Sequence, residues 1–243
     1  MRKVALIPGG ARGIGRAIAQ ALAVRDWDVA ICYRKSHEDA QVATSAIEAS
    51  GGAALALPCD VSTPEACAQL YDQVLAWRGG VDALVHCAGP FHRVDLLGET
   101  PEGWRAMFAN NLDSLFYLSR LVAPAMIEKR WGRIVAFAMA NADRLMAQTQ
   151  ITAHYLSKVA LLGLVRSLAK ALAPSGITAN AISPGFIDSG SVELAELTQM
   201  SKNIPAGSVG TVDDVVSATL YLLSQEANYV NGSNIHVSGG WGI

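Results

Sequence analysis

Apolar positions along the chain fall into two patterns. Short, nearly continuous apolar runs cover 3–8, 28–33, 53–58, 82–86, 133–138, 178–183 and 234–237. Between them lie stretches with apolar residues at helical spacing: 13–24, 37–50, 64–77, 104–128, 153–173 and 212–224. A strand that is apolar on both faces is what a sheet requires when helices cover it from both sides. Alternation of such strands with helices, joined by right-handed crossovers, predicts a doubly wound parallel sheet between two helix layers. The expected class is therefore α/β, a three-layer Rossmann-like fold. No Pro/Gly/Ser-rich linker and no internal repeat breaks the alternation, so residues 1–243 read as a single domain. The stretch 186–208 follows neither pattern and is expected to be a long loop of the lid type.

Composition supports a large core and removes several classes of function. Hydrophobic residues make up 51% and charged residues 16% of the chain, the opposite of a disordered segment. The net charge of -2 offers no basic field for a nucleic-acid backbone, so no nucleic-acid partner is expected. No apolar run reaches the length of a membrane span. The run after Met1-Arg2-Lys3 ends at Pro8-Gly9-Gly10, too early for a signal peptide. Cys32, Cys59, Cys67 and Cys87 show no metal-type spacing, so reduced thiols, no metal and a cytoplasmic location are expected.

The candidate chemistry begins where the first strand ends. Pro8-Gly9-Gly10-Ala11-Arg12-Gly13-Ile14-Gly15 follows that strand and opens the first helix. Glycines there let the backbone approach a pyrophosphate, and the helix N-terminus offers free N–H groups and a positive dipole end. The glycines sit at 9, 13 and 15, which departs from the commoner GxGxxG spacing. About 20 residues further on, an NAD-binding chain places an acid to hold the ribose 2′-hydroxyl. Here that position falls on Tyr33-Arg34-Lys35-Ser36, with no acid and two cations. Arg34 suits a 2′-phosphate in bidentate fashion, Lys35 adds charge, and Arg12 points toward the same region. The expected cofactor is NADPH rather than NADH.

At this point the chain resembles the short-chain dehydrogenase/reductase family over essentially its whole length. Asp60-Val61 matches the pair that contacts adenine in that family, and His86-Cys87-Ala88-Gly89 stands where the family has Asn-Asn-Ala-Gly. Asn111, within Asn110-Asn111-Leu112-Asp113-Ser114, matches the asparagine that holds a proton-relay water. Pro184-Gly185 matches the segment flanking the nicotinamide, with Ile187 just beyond it on the cofactor side. Gly232 and Ser238-Gly239-Gly240 match the usual ending. The nearest flavour is that of the 3-oxoacyl-carrier-protein reductases. Pteridine reductases come second, on Tyr33-Arg34-Lys35-Ser36 and Ala88-Gly89-Pro90-Phe91. The resemblance implies carbonyl reduction in which NADPH delivers hydride and a tyrosine gives the proton. It also implies a lysine four residues later that lowers the tyrosine pKa and binds ribose, a serine that positions the substrate oxygen, and a homotetramer.

The catalytic positions depart from that pattern. Lys158 is well placed, in Lys158-Val159-Ala160-Leu161-Leu162-Gly163, but the residue four before it is His154, and Tyr155 is three before it. Three readings follow: His154 takes the acid role, Tyr155 reaches the site by a shift at the helix start, or ordinary carbonyl reduction is lost. Lys158 nearby would depress the His154 pKa and leave a neutral imidazole. The serine position is taken by Met139, or, counting thirteen back from His154, by Asn141. Asp143 and Arg144 share that loop and read as a surface ion pair or as contacts to a polar substrate. Pro8 replaces a threonine and His86 an asparagine that ties strands together, while Ile151 stands where an enoyl-reductase tyrosine would be.

The candidate catalytic set is thus Asn111, His154, Tyr155 and Lys158, with Met139 and Asn141 on the substrate side. Loops at about 90–100, 139–152 and 186–208 are expected to wall the site, bringing Phe91, His92, Met146, Phe186 and Ile187 with few charges. An apolar, acyl-like or carrier-bound substrate suits such walls. The expected activity is NADPH-dependent reduction of a carbonyl or imine with an altered proton donor. The alternative is a redox-silent or non-redox chain that binds NADP(H) or reuses the pocket.

Overall fold

The first apolar run, Lys3–Pro8 (β1), is the third strand across a seven-stranded parallel sheet in the computed structural model. The structure describes residues 2–190 and 194–243. From β1 the chain passes through Gly13–Ala23 (α1), Trp27–Tyr33 (β2), His37–Ala49 (α2), Ala54–Pro58 (β3), Pro64–Arg78 (α3) and Ala83–His86 (β4). The second half runs through Pro101–Phe108 (α4), Ser114–Lys129 (α5), Gly132–Phe137 (β5), Thr152–Leu172 (α6) and Ile177–Pro184 (β6). It ends with Ile187–Asp188 (β7), Leu194–Ser201 (α7), Gly210–Thr211 (β8), Val212–Leu223 (α8) and Asn234–Val237 (β9). The strand order is β3-β2-β1-β4-β5-β6-β9, so the winding direction reverses between β1 and β4. A crevice at that reversal, outside the carboxyl ends of the strands, is where such sheets bind ligands.

Alternation along each strand divides the core. Val4 and Leu6 of β1 pack with α3, α5 and α6 through Leu70, Leu118 and Leu161. Ala5 and Ile7 point the other way, toward Ile18 of α1, Ile47 of α2 and Val215 of α8. This period-two division is why the strands read as continuous apolar runs. Local signals set several helix ends. Thr63 Oγ accepts from Ala66 N–H (3.3 Å) ahead of Pro64, and Gly79 closes α3 at φ +75°. Thr211 and Asp214 form a reciprocal capping box at the start of α8.

Two expectations need correction. The predicted helix 104–128 is α4 and α5 joined by a π-turn at Ala109–Asp113. Side chains open that turn: Asn111 Nδ2 donates to the Met107 carbonyl (3.0 Å), Asn110 Nδ2 to Ala106 (2.9 Å), and Ser114 Oγ to Asn110 (2.8 Å). Such back-bonding to carbonyls four residues earlier distorts a helix, and π-turns often mark functional positions. The stretch 186–208 is also more regular than expected. It contains β7, paired with β8, and α7, and Ala206 N–H is tied to the Gly239 carbonyl (2.9 Å). Residues 191–193 of that stretch lie outside the described residues. No helix among the described residues is long and apolar enough to cross a membrane.

Arg133, read only as a strand residue, is fully buried in β5. Its guanidinium lies over the Trp131 ring (4.7 Å) and donates to the Ser224 carbonyl (3.2 Å), the Gly132 carbonyl (2.9 Å) and the Asn228 side chain. It thereby pins the end of α8 to the sheet. Arg133→Met is expected to lower unfolding free energy by about 3 kcal/mol, because it leaves buried acceptors unpaired. Urea denaturation would check this, and an unchanged midpoint would contradict it.

Candidate active site

The carboxyl ends of β1 to β6 open onto one cleft of about 670 Å³. Gly9, Arg12, Gly13, Ile14 and Gly15 form one wall, and Arg34, Lys35, Ser36, Asp60 and Val61 form one end. Ala88 and Gly89 line the middle; Lys158, Pro184 and Gly185 lie toward the other end. Two of these glycines have no room for a side chain. A Cβ on Gly9, at φ +78°, would lie 2.9 Å from Ala88 N, and one on Gly15 would overlap the Gly9 carbonyl. No side chain caps the N-terminus of α1, so its first N–H groups stay available to an anion. Arg34 is half-exposed and held 3.8 Å from Asp60 Oδ2. A glycine cradle, a free helix N-terminus and two cations fit a phosphorylated dinucleotide.

The inner end of the cleft is built on α6. Lys158 is buried, and its Nζ donates to the Phe137 carbonyl (2.6 Å). Burial lowers its pKa to about 8. One turn earlier, His154 meets the Pro90 carbonyl through Nδ1 (3.2 Å) and packs edge-on against Phe91 (5.1 Å). A carbonyl only accepts, so Nδ1 carries the hydrogen and Nε2 of the neutral ring is a bare acceptor. Burial first, and then the Lys158 charge, lower the His154 pKa to about 4.

Asn111 approaches from the π-turn. Its Nδ2 donates to the same Pro90 carbonyl (3.2 Å) as well as to Met107, while its buried Oδ1 has no partner. Gly89, at φ +157°, separates these groups: a Cβ there would overlap Asn111 Oδ1 and lie 3.1 Å from Lys158 Nζ. His86 lies just behind. Its Nε2 donates to Ser114 Oγ (2.7 Å), since the Ser114 hydroxyl is already spent on Asn110. Burial, followed by the Lys158 charge, lowers its pKa to about 3. His86 thus ties β4 to the π-turn.

Five expected residues do not line the cleft: Asn111, fully buried against Gly89, and the four that follow. Tyr155 is 2% exposed and faces the loop that precedes α6. Its hydroxyl donates to the Asn141 carbonyl (3.2 Å) and accepts from Met146 N–H (2.8 Å). The helix start has not shifted to turn it inward, because Tyr155 N–H is bonded to the Ile151 carbonyl (2.8 Å) as in a regular first turn. Met139 packs against the core. Asn141 sits at φ +63° in the turn that receives Tyr155, and it does not line the cleft. The Ile187 side chain packs at Gly210, where an added Cβ would lie 2.7 Å from its Cδ1. Asp143 pairs with His236 (2.9 Å), not with Arg144.

Other contributors went unread. The Pro90 and Phe137 carbonyls orient His154 and Lys158, and Cys32, Cys59 and Cys87 line the cleft. Main-chain carbonyls carry no signal in side-chain identity. The cysteines had one, since each lies at or just beyond the carboxyl end of a predicted strand. The loops expected to wall the site are laced together, with Val94 N–H on the Gln150 carbonyl (2.9 Å) and Leu96 N–H on Thr149 (2.8 Å).

Comparison with known proteins agrees with this architecture. A family model described as enoyl-(acyl carrier protein) reductase matches residues 9–242. The chain belongs to the short-chain dehydrogenase/reductase family and is an oxidoreductase. That family uses a nicotinamide cofactor. Among its relatives is the 3-oxoacyl-[acyl-carrier-protein] reductase FabG of Escherichia coli K12, 34% identical over 98% of this chain and 96% of the relative. FabG of Staphylococcus aureus Mu50 is 33% identical over 99% and 98%. Among solved structures, a short-chain dehydrogenase/reductase from Serratia marcescens superposes with a TM-score of 0.92 at 29% identity, covering 99% of this chain and 98% of the other. Acetoin dehydrogenase from Enterobacter cloacae gives 0.90 at 29%, covering 99% and 96%.

Two outcomes follow from this geometry. His86 and His154 are held neutral, so the unfolded chain binds more protons once pH falls below 6.5. The contribution of the two histidines is full above that value and is lost as pH falls toward about 4 for His154 and about 3 for His86. Urea midpoints from pH 8 down to pH 4 should show the decline, and His154→Gln should remove part of it. Gly89→Ala should cost about 1–3 kcal/mol through backbone strain and its collision with Asn111. A melting temperature equal to that of the wild type would contradict it.

Proposed function

We propose that the chain reduces a carbonyl group with NADPH, on an apolar or acyl-like substrate, using a proton donor other than the family's tyrosine. The observation that supports this most is the single cleft running from Arg34 and Lys35 to Lys158 and His154. When bound, the dinucleotide supplies a hydride to the carbonyl carbon. The residues of the chain bind and orient. The glycine loop and the α1 N-terminus receive the pyrophosphate, Arg34, Lys35 and Ser36 receive the 2′-phosphate, and Lys158 holds the nicotinamide ribose. Asp60 keeps Arg34 at the mouth of its subsite. Phe91, Leu145 and Met146 are exposed apolar groups that suit an acyl chain. FabG relatives are named for a carrier-bound 3-oxoacyl substrate, which favours that class here as well. Exposed Phe116 and Ile127 on α5 and Leu156 on α6 favour a homotetramer paired through these helices.

The second reading, a cofactor-binding chain without redox turnover, draws on Tyr155 facing away from the cleft. The deciding experiment is a fluorescence titration with NADPH, followed by absorbance loss with acetoacetyl thioesters, a diketone panel and a pterin. Tight binding without turnover on any of them would favour the second reading. For the cofactor, Arg34→Ala should weaken NADPH at least about tenfold, or about 1.4 kcal/mol, and NADH by less than about twofold. Equal weakening of both would overturn the 2′-phosphate assignment.

A further inference from the structure

Deepening the carbonyl-reductase reading, on which it rests, we propose that Lys158 itself donates the proton to the carbonyl oxygen and that His154 is an acceptor beside it. The inventory of hydrogens at the inner end of the cleft supports this. Asn111 has spent its Nδ2 hydrogens on the Pro90 and Met107 carbonyls. His154 has spent its one ring hydrogen on Pro90 and presents a bare Nε2. Tyr155 is turned away and bonded at its hydroxyl. Lys158 carries three N–H bonds, gives one to the Phe137 carbonyl, and lines the cleft.

The surroundings make that ammonium a usable acid. The titratable groups facing it are His86 and Cys87 from β4 and His154 from its own helix; among the described residues no carboxylate holds its charge. Burial among neutral groups brings its pKa to about 8. Lys158 is therefore mostly protonated at pH 7 yet acidic enough to release the proton, the match that general acids need. His154, at about 4, is protonated in only about one molecule in a thousand at that pH. Burial pushes the Cys87 thiol far up, which makes it a poor donor. Asn111 Oδ1, which has no partner, and Lys158 Nζ flank the same glycine, since a Cβ added at Gly89 would meet both.

The step balances with a reduced nicotinamide dinucleotide as the reductant. Hydride adds to the carbonyl carbon, the C=O π pair moves onto oxygen, a new O–H bond forms there, and one Nζ–H bond of Lys158 breaks. Nζ is left as a neutral amine that regains a proton from solvent, and the dinucleotide leaves oxidised.

The test has two parts. NMR of labelled lysine Nζ and histidine ring nitrogens in the intact protein, with and without NADP⁺, should find Lys158 titrating near 8 and His154 Nε2 unprotonated at pH 7. Kinetics should show kcat/KM for reduction level below about pH 8 and falling tenfold per unit above it. Lys158→Arg keeps the charge but cannot release a proton, so kcat at saturating NADPH should fall at least about 100-fold, beyond whatever NADPH affinity is lost with the ribose contact. His154→Gln should lower kcat about tenfold and leave the alkaline limb in place. A limb near pH 4 that disappears in His154→Gln would overturn the proposal, as would Nζ titrating near 10.5. Absence of turnover by the wild type on every carbonyl would fall on the reductase reading. The NMR titration then still decides whether Lys158 is the acid of the site.

Discussion

An amine held at the floor of a cleft by one backbone carbonyl, with no carboxylate in reach among the described residues, constrains everything around it. The Lys158 charge must be tolerated where water is largely excluded. Its neighbours are accordingly neutral. His154 and His86 are held unprotonated by burial and by that same charge, and Cys87 stays a thiol. The carbonyls of Phe137 and Pro90 do the orienting that an ionised side chain would otherwise do. A buried cation with this little compensation is costly, and proteins keep such arrangements mainly at sites of binding or catalysis.

The tyrosine beside this centre has been put to structural use. With Nδ1 of His154 on Pro90 and the Tyr155 hydroxyl between Asn141 and Met146, adjacent residues of one helix turn serve different ends. The first shapes the cleft, and the second stitches the loop before α6 to the helix that carries Lys158. That loop is also laced to the segment after β4, so the walls of the site form one unit. The π-turn joins the unit through Asn111 and Ser114, the one to Pro90 and the other to His86.

Much of the fold was legible because a sheet covered on both faces demands continuous apolar strands, and such runs are conspicuous in a chain of this composition. The seven strands of the main sheet fall within a residue or two of their predicted ranges. The glycine wall was legible for a related reason. Backbone packed on backbone leaves no room for a Cβ at Gly9 and Gly15, and Gly13 turns the chain at φ +55°, a conformation that favours glycine. The π-turn and α7 were not legible. The first arises from asparagine and serine side chains competing for helix carbonyls, the second from contacts that a period of 3.6 does not encode.

At the reacting end, sequence alone established which residues were present and which were missing: Lys158, His154 and Asn111 at their spacing, and no tyrosine four before the lysine. Tertiary structure decided what each one presents to the cleft. A 100° step around the helix separates an inward His154 from an outward Tyr155, and main-chain carbonyls from distant strands settle which nitrogen of His154 bears the hydrogen. Spacing along a chain determines which side chains share a helix face. Only the packing of other strands against that face determines whether a side chain there gives a proton, accepts one, or is spent holding the fold together.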